Sequence, residues 1–311
     1  MADHHSRQLA RTVSSVSDSV NSTMLDGKIK CDNLKYRGYQ MSTNFLEADV
    51  GGVLVGVFRG SSGLVYAINP TRETISELIF RLHDVSDPPT VRLLAPRDPI
   101  KDVLADFIVA GHAADLVAAE TLSVRVLSEA PTASLLVTES AVVSLVAADG
   151  MVGGLTASDA EFLAAMRDRY ERAWDDAEEY SLRTPPLSRV RETLSTDIGR
   201  DTAEDFDDLL GSLSVAKGDG EGLGEVAIAL LVAARNGQLL YDMSKWGEDI
   251  SLASKATFSR MKTRLEDSGL VKTEKVPIDV GRPRLRLRLA DDVERMDLPE
   301  LASVAEERLA E

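Results

Sequence analysis

The sequence predicts an α/β domain with a mixed sheet, followed by a smaller α+β domain of helices and one β-hairpin. Three observations carry this. Between residues 46 and 180, short β-branched runs alternate with segments of helical period. From Leu223 onward, three helical apolar stripes follow one another at short spacing. A hairpin then closes the pattern, with Arg and Leu alternating from Arg284 to Leu289.

A chain of 311 residues has room for two domains. The expected division is a tail or upstream leader at 1–42, an α/β domain at 43–181, an acidic helical linker at 182–222, a compact helical and hairpin domain at 223–292, and a last helix at 293–311.

Residues 1 to 40 differ in character from the rest of the chain. They hold six cations, four acids, two of the four histidines (His4, His5) and the one cysteine, Cys31, without sustained periodicity. Such composition predicts disorder, and Met41 is a candidate start. A single cysteine excludes an intramolecular disulfide and a Cys-rich zinc site, and a His pair in a disordered tail is expected to be inert. With no apolar run long enough to span a bilayer and no secretory core, a soluble cytoplasmic protein is expected.

In the α/β domain a short helix is expected from Leu46, then a buried strand at Leu64–Ile68. Asn69-Pro70 breaks the strand, and Ile75, Leu78, Ile79 and Leu82 give a helix. A strand at Val91–Leu94, one helix from Ile100 to Ala119 and a strand at Leu122–Leu127 come next. Ser134–Thr138 and Ala141–Ala147 read as a hairpin, Met151–Leu155 as an edge, and Thr156 or Ser158 as the cap of a long helix through Phe162, Met166, Tyr170 and Trp174.

Leu182 to Ser195 reads as a rigid kink into a helix, with interdomain packing as its default role. Residues 197 to 221 are rich in Asp and Glu and read as a linker helix with a Gly-rich hinge. Leu298, Leu301, Val304 and Leu309 mark a final amphipathic helix that could pair between subunits.

The smaller domain carries the chemistry. Leu223, Val226, Ala227, Leu230, Leu231 and Ala234 form a first helical stripe ending at Asn236-Gly237. Met243, Trp246, Gly247 and Ile250 form a second, and Ser251-Leu252-Ala253 is a turn. Ser254 then caps a third helix that buries Phe258, Met261 and Leu265 and ends at Ser268-Gly269.

At 100° per residue, Ala256, Ser259, Arg260 and Thr263 lie opposite the buried stripe, with Lys255, Lys262 and Arg264 on the flanks and Thr257 near the cap. Small, hydroxylated and basic side chains can approach base edges, and flanking cations suit phosphates. Leu270–Val276 and Arg284–Leu289 form the hairpin, which places Arg284, Arg286 and Arg288 on one face behind a tip that includes Arg282. A row of arginines beside a basic helix suits sugar-phosphate contact.

Charge placement supports a nucleic-acid partner despite a net charge of -16 and a pI near 4.8. Ser254 to Arg288 holds ten cations against four anions, a net +6, so the remainder carries -22. Local potential governs docking on phosphate.

These residues resemble a known pattern. Ser254-Lys-Ala-Thr-Phe-Ser-Arg260, Arg264-Leu-Glu-Asp-Ser-Gly-Leu-Val271 and the hairpin are similar to the winged helix-turn-helix of bacterial and archaeal transcription regulators. The turn is one residue longer than in that pattern, and Lys262 stands where an apolar residue is commoner. The upstream domain, with Leu136-Val-Thr-Glu-Ser140 and Val143-Ser-Leu-Val146 before a Tyr/Trp-bearing helix, resembles the phospholipase-D-like sensor domains of TrmB-type regulators. With Leu182-Arg-Thr-Pro-Pro-Leu-Ser-Arg189, the whole arrangement looks most like the haloarchaeal TbsP regulators, and the acidic, aromatic-poor composition fits that source.

The resemblance implies sequence-specific binding to double-stranded promoter DNA, control of central carbon metabolism genes, a homodimer, and a sugar or phosphorylated metabolite as effector. The candidate DNA-binding residues are Lys255, Ala256, Thr257, Ser259, Arg260, Lys262, Thr263, Arg264, Arg282, Arg284 and Arg286. No catalytic residue, cofactor or metal ligand is expected. A phospholipase-D enzyme needs His-x-Lys-x4-Asp, which neither His83 nor His112 has, and there is no Walker loop and no Gly-x-Ser-x-Gly. Gly60-Ser-Ser-Gly63 precedes a strand and reads as a turn, and His83-Asp84 reads as a helix end. The rival readings are a winged helix used for protein contact and an α/β enzyme with a winged-helix appendage.

Overall fold

The computed structural model describes residues 44–129, 131–217, 223–277 and 283–310. The expectations for residues 1–43, for the Gly-rich hinge at 218–222 and for Arg282 at the hairpin tip fall outside these.

The α/β portion is built on an eight-stranded mixed sheet with the order β1-β7-β6-β5-β2-β3-β4-β8. Its parallel heart is β2 (Leu64–Ile68), β3 (Thr90–Ala95) and β4 (Leu122–Val126). These runs lie between covered faces, so they are mostly apolar, with Arg92 of β3 and Arg125 of β4 as the charged exceptions. On the β2 side stand β5 (Leu135–Val137), β6 (Val142–Ala148), β7 (Met151–Ala157) and β1 (Phe45–Glu47), all antiparallel. The two-residue β8 (Glu178–Glu179) closes the other edge against β4.

Helices α1 (Val50–Arg59), α2 (Arg72–Asp84), α3 (Arg97–Val103) and α4 (Phe107–Ala118) contribute to one hydrophobic layer with the sheet. Helix α5 (Ala160–Asp176) covers part of the opposite face, where Leu163, Tyr170 and Trp174 meet Tyr66, Ile68, Leu94, Val137 and Val142. Two arginines bind this layer from the strands. Arg92 and Arg125 lie 5.1 and 4.7 Å from the Trp174 ring, and Arg125 also donates to the Trp174 carbonyl at 2.6 Å.

Four local expectations are corrected here. Phe45–Glu47 is a strand, held by pairing with β7, and the helix after it begins only at Val50 under an Asp49 cap. The single helix expected at 100–119 is two, because the Asp106 carboxylate accepts the Ile108 N–H and starts a new helix. Asp159 caps α5 in place of Thr156 or Ser158. Finally, β7 is interior, since β1 pairs outside it.

The C-terminal portion has one continuous core, drawn from α6 (Leu187–Thr193), a π-turn at Leu194–Ile198, α7 (Arg200–Ser212), α8 (Glu225–Arg235), α9 (Leu240–Asp249), α10 (Lys255–Asp267), the hairpin β9 (Val271–Val276) and β10 (Arg284–Leu289), and α11 (Leu298–Ala310). The stretch read as an acidic linker is packed: Ala203, Phe206, Leu209 and Leu210 put one face of α7 into this core while the acids line the other. Helix α8 is buried all round, every residue from Val226 to Ala234, because α7, α10 and β10 all surround it. The apolar side of α11 packs in cis against α7.

Candidate nucleic-acid interface

The arrangement of α9 and α10 follows from local chemistry. Gly237 (φ +63°) ends α8 in a conformation that costs a side-chain-bearing residue strain, and Gly269 (φ +69°) does the same after α10. Between the two helices, Ser251 turns the chain at φ +64°, and the Ser254 hydroxyl accepts the Thr257 N–H at 3.2 Å to open α10. Phe258 and Leu265 are fully buried under α10, and Met261 packs at the margin. Gly247 of α9 lets the two helices approach, since a Cβ there would lie under 3.0 Å from two Phe258 ring atoms.

The hairpin is docked by a third strand segment that the sequence did not disclose. Leu239 bridges Arg286, and the Leu287 N–H donates to the Gln238 carbonyl at 2.9 Å. Leu287 and Leu289 are buried against α8 and its neighbours. The hairpin is thereby fixed to the start of α9.

On α10, Lys255, Ala256, Ser259, Arg260, Thr263 and Arg264 are exposed, and Thr257 is half-buried. The cations then separate into two groups. Lys255 pairs with Glu248 of α9 at 2.6 Å, an interaction that raises its pKa above the usual lysine value. Lys262 is largely covered and pairs with Glu266 at 2.5 Å, while Thr273 also donates to Glu266. Arg264 reaches the Leu309 carbonyl at the end of α11. Arg284 pairs with Asp242 at 3.3 Å and stacks on Tyr241 at 4.2 Å. Arg288 pairs with Glu274, and Lys272 with Asp291.

Arg260 stands apart. It forms no ion pair among the described residues, and its one hydrogen bond goes to the Thr257 hydroxyl at 3.4 Å. Arg286 is half-buried, and its buried Nε has no hydrogen-bond partner. The +6 counted along the sequence is therefore reduced in space, because Asp242, Glu248 and Asp291 come from outside that segment. A groove of about 450 Å³ runs between α10 and the hairpin, lined by Tyr241, Ser244, Lys255, Ser259, Pro283 and Arg284.

Three helices in this order, an exposed polar face on the third and a hairpin pinned beside it define a winged helix-turn-helix, here behind a mixed α/β domain. Residues 42–185 match the N-terminal domain of TbsP-like transcriptional regulators, and residues 186–306 match their C-terminal helix-turn-helix domain. The chain belongs to this family and is a transcriptional regulator. Both matched regions are regulator domains.

No curated protein matches the chain. Among solved structures, TrmBL2, described as an archaeal chromatin protein with a novel mode of DNA binding, is 8% identical with a TM-score of 0.33, over 56% of this chain and 61% of that one. Nuc, a phospholipase D family member from Salmonella typhimurium, is 7% identical with a TM-score of 0.32, over 44% of this chain and 97% of its own. Both likenesses are too distant to carry an argument. Among the described residues, no helix is long and apolar enough to cross a membrane.

Proposed function

We propose that the chain binds double-stranded promoter DNA in a sequence-specific way, with α10 in the major groove. The observation that carries this reading is Arg260: a cation on the exposed face of the second helix of the motif, without a carboxylate partner, between the small side chains of Ala256, Ser259 and Thr263. A guanidinium so placed is free to take guanine O6 and N7, while small neighbours let the helix seat deeply. Lys255 and Arg284, which line the groove, exchange their exposed pairs with Glu248 and Asp242 for backbone phosphates, and Thr257 near the cap of α10 serves the same backbone. Lys262 and Arg264 hold the domain together instead, Lys262 because it is largely covered beside Glu266 and Arg264 because it ties α10 to the end of α11. Arg286 belongs to the wing.

The dimer expected from the resemblance has a candidate surface. Leu46, Val146, Met151 and Leu155 share the sheet face that α5 covers elsewhere, and with Phe162 they are exposed. A solvated sheet face is normally polar. A second copy would cover these side chains and set two recognition helices against two half-sites.

For the effector, a cavity of about 610 Å³ lies beyond the carboxyl ends of β3 and β4, where open α/β sheets take ligands. Arg97, Lys101 and Arg183 line it together with Glu178 and Glu179, and Arg97 is paired with Glu178 at 2.9 Å, so a phosphorylated metabolite rests on the family resemblance, with Lys101 and Arg183 as the cations outside that pair. Control of central carbon metabolism genes rests on the family resemblance.

The test is selection of bound duplexes from a randomised library by the full chain. Enrichment of a paired-half-site consensus that Arg260→Ala fails to enrich supports the reading; an unenriched pool refutes it.

A further inference from the structure

His83 and His112 lie 29 residues apart in sequence, at the end of α2 and in the middle of α4, yet their rings meet edge to face with centroids 4.6 Å apart. Asp115, one turn after His112 on the same face of α4, completes the group. One ligand atom from each of the three lies within 4.8 Å of the others. The Nδ1 of His112 is buried and has no hydrogen-bond partner, which is a cost to folding that a ligand there would remove.

The geometry points to a binding site for a divalent transition metal of the zinc type, formed by His83, His112 and Asp115. Two imidazoles and one carboxylate are a borderline donor set that suits Zn²⁺, Ni²⁺ or Co²⁺ over Ca²⁺ or Mg²⁺. Tetrahedral coordination with bonds near 2.0–2.1 Å needs donors about 3.4 Å apart, so the group must contract by roughly an ångström. His83 can supply that movement, because it is exposed and sits at a helix end. Its exposure also gives the ion a path in and leaves a position for water.

The surroundings are those of a supported ligand set. Asp115 accepts the Ser188 hydroxyl at 2.5 Å and the Ser188 N–H at 3.2 Å, which orients the carboxylate as an outer partner does in metal sites. Burial, then the nearby charges of His83 and Arg191, hold His112 below the usual histidine pKa, against the opposing pull of Asp115 and Asp84; the neutral imidazole is the ligating form. Arg191, the cation facing the group, is itself paired with Asp207 at 2.5 Å.

Ser188 belongs to α6, which enters the core of the winged helix. The ion would therefore sit where the α/β domain meets the DNA-reading part, and it would draw α2, α4 and α6 together. This assignment is independent of the DNA-binding reading.

The test uses the full chain with His4→Ala, His5→Ala and Cys31→Ser, which removes the other two histidines and the one thiol. Zn²⁺ is titrated in competition with a chromophoric chelator, and Co²⁺ is added in parallel to read the visible band of four-coordinate cobalt. One equivalent is expected, with the cobalt band present. His83→Ala, at an exposed position, should abolish the band and weaken Zn²⁺ binding by roughly 100-fold or more, while Ser188→Ala should weaken it about 10-fold. Circular dichroism verifies that both variants fold. Failure to bind Zn²⁺, or weak binding at several sites that His83→Ala leaves unchanged, would overturn the assignment.

Discussion

Replacing Gly247 by alanine sets two effects of known sign against each other. In the interior of a helix alanine is favoured over glycine by about 0.5–1 kcal/mol. Here the new methyl would stand under 3.0 Å from two atoms of the Phe258 ring. That ring is fully buried and packed in the core shared by α8, α9 and α10, so it has nowhere to turn. Overpacking of this kind costs about 1–3 kcal/mol, and the difference leaves a net loss of roughly 0.5–2 kcal/mol. Urea unfolding should report it through Trp246, which lies one residue before the substitution, in a Trp174→Phe background that removes the other of the two tryptophans. The further change Phe258→Leu should recover part of the Gly247→Ala loss by opening space. A midpoint for Gly247→Ala equal to or above that of the parent would show that α9 and α10 do not approach as described.

Other outcomes rest on individual contacts. Arg264→Ala should cost about 0.5–1.5 kcal/mol in chemical denaturation through loss of the bond to the Leu309 carbonyl, while DNA affinity of the folded protein stays within about twofold. Asp106→Ala removes both the cap of α4 and the acceptor of the Ala216 N–H, so stability should fall by about 1–3 kcal/mol, and hydrogen exchange should rise at residues 213–217. Leu155→Arg should shift the sedimentation coefficient toward that of a monomer if the uncovered sheet face joins two copies; an unchanged oligomer would remove that surface from consideration.

Much of the fold was legible because its signals are local. Ser254, Gly237 and Gly269 mark helix ends by hydrogen bonds and backbone angles that only their neighbours determine, and the Arg/Leu alternation of β10 needs no partner to be seen. The errors come from residues whose roles depend on distant partners. Acidic side chains hid the apolar stripe of α7, whose Phe206 and Leu209 pack on helices tens of residues away. Phe45–Glu47 is a strand only because β7 lies beside it. In the sequence Asp106 reads as one more residue of a long helix, although its carboxylate starts a new one.

The candidate interface shows the same limit. The exposed face of α10 follows from helical period, and the structure leaves Ala256, Ser259, Arg260 and Thr263 exposed there. Which cations are spoken for does not follow, because Glu248, Asp242 and the Leu309 carbonyl arrive from other elements. Nor does the pairing of His83 with His112, which two separate helices bring about.

The most direct test of the account compares Arg260→Ala with Lys262→Ala, measuring fluorescence anisotropy on the selected duplex and on a scrambled one at the same salt. Arg260→Ala should weaken the selected duplex by about 1–3 kcal/mol, roughly 5- to 150-fold, with little change on the scrambled one, and Lys262→Ala should leave the ratio between the two duplexes intact. An Arg260→Ala protein that keeps its full preference for the selected duplex would contradict the claim that this face of α10 reads the sequence.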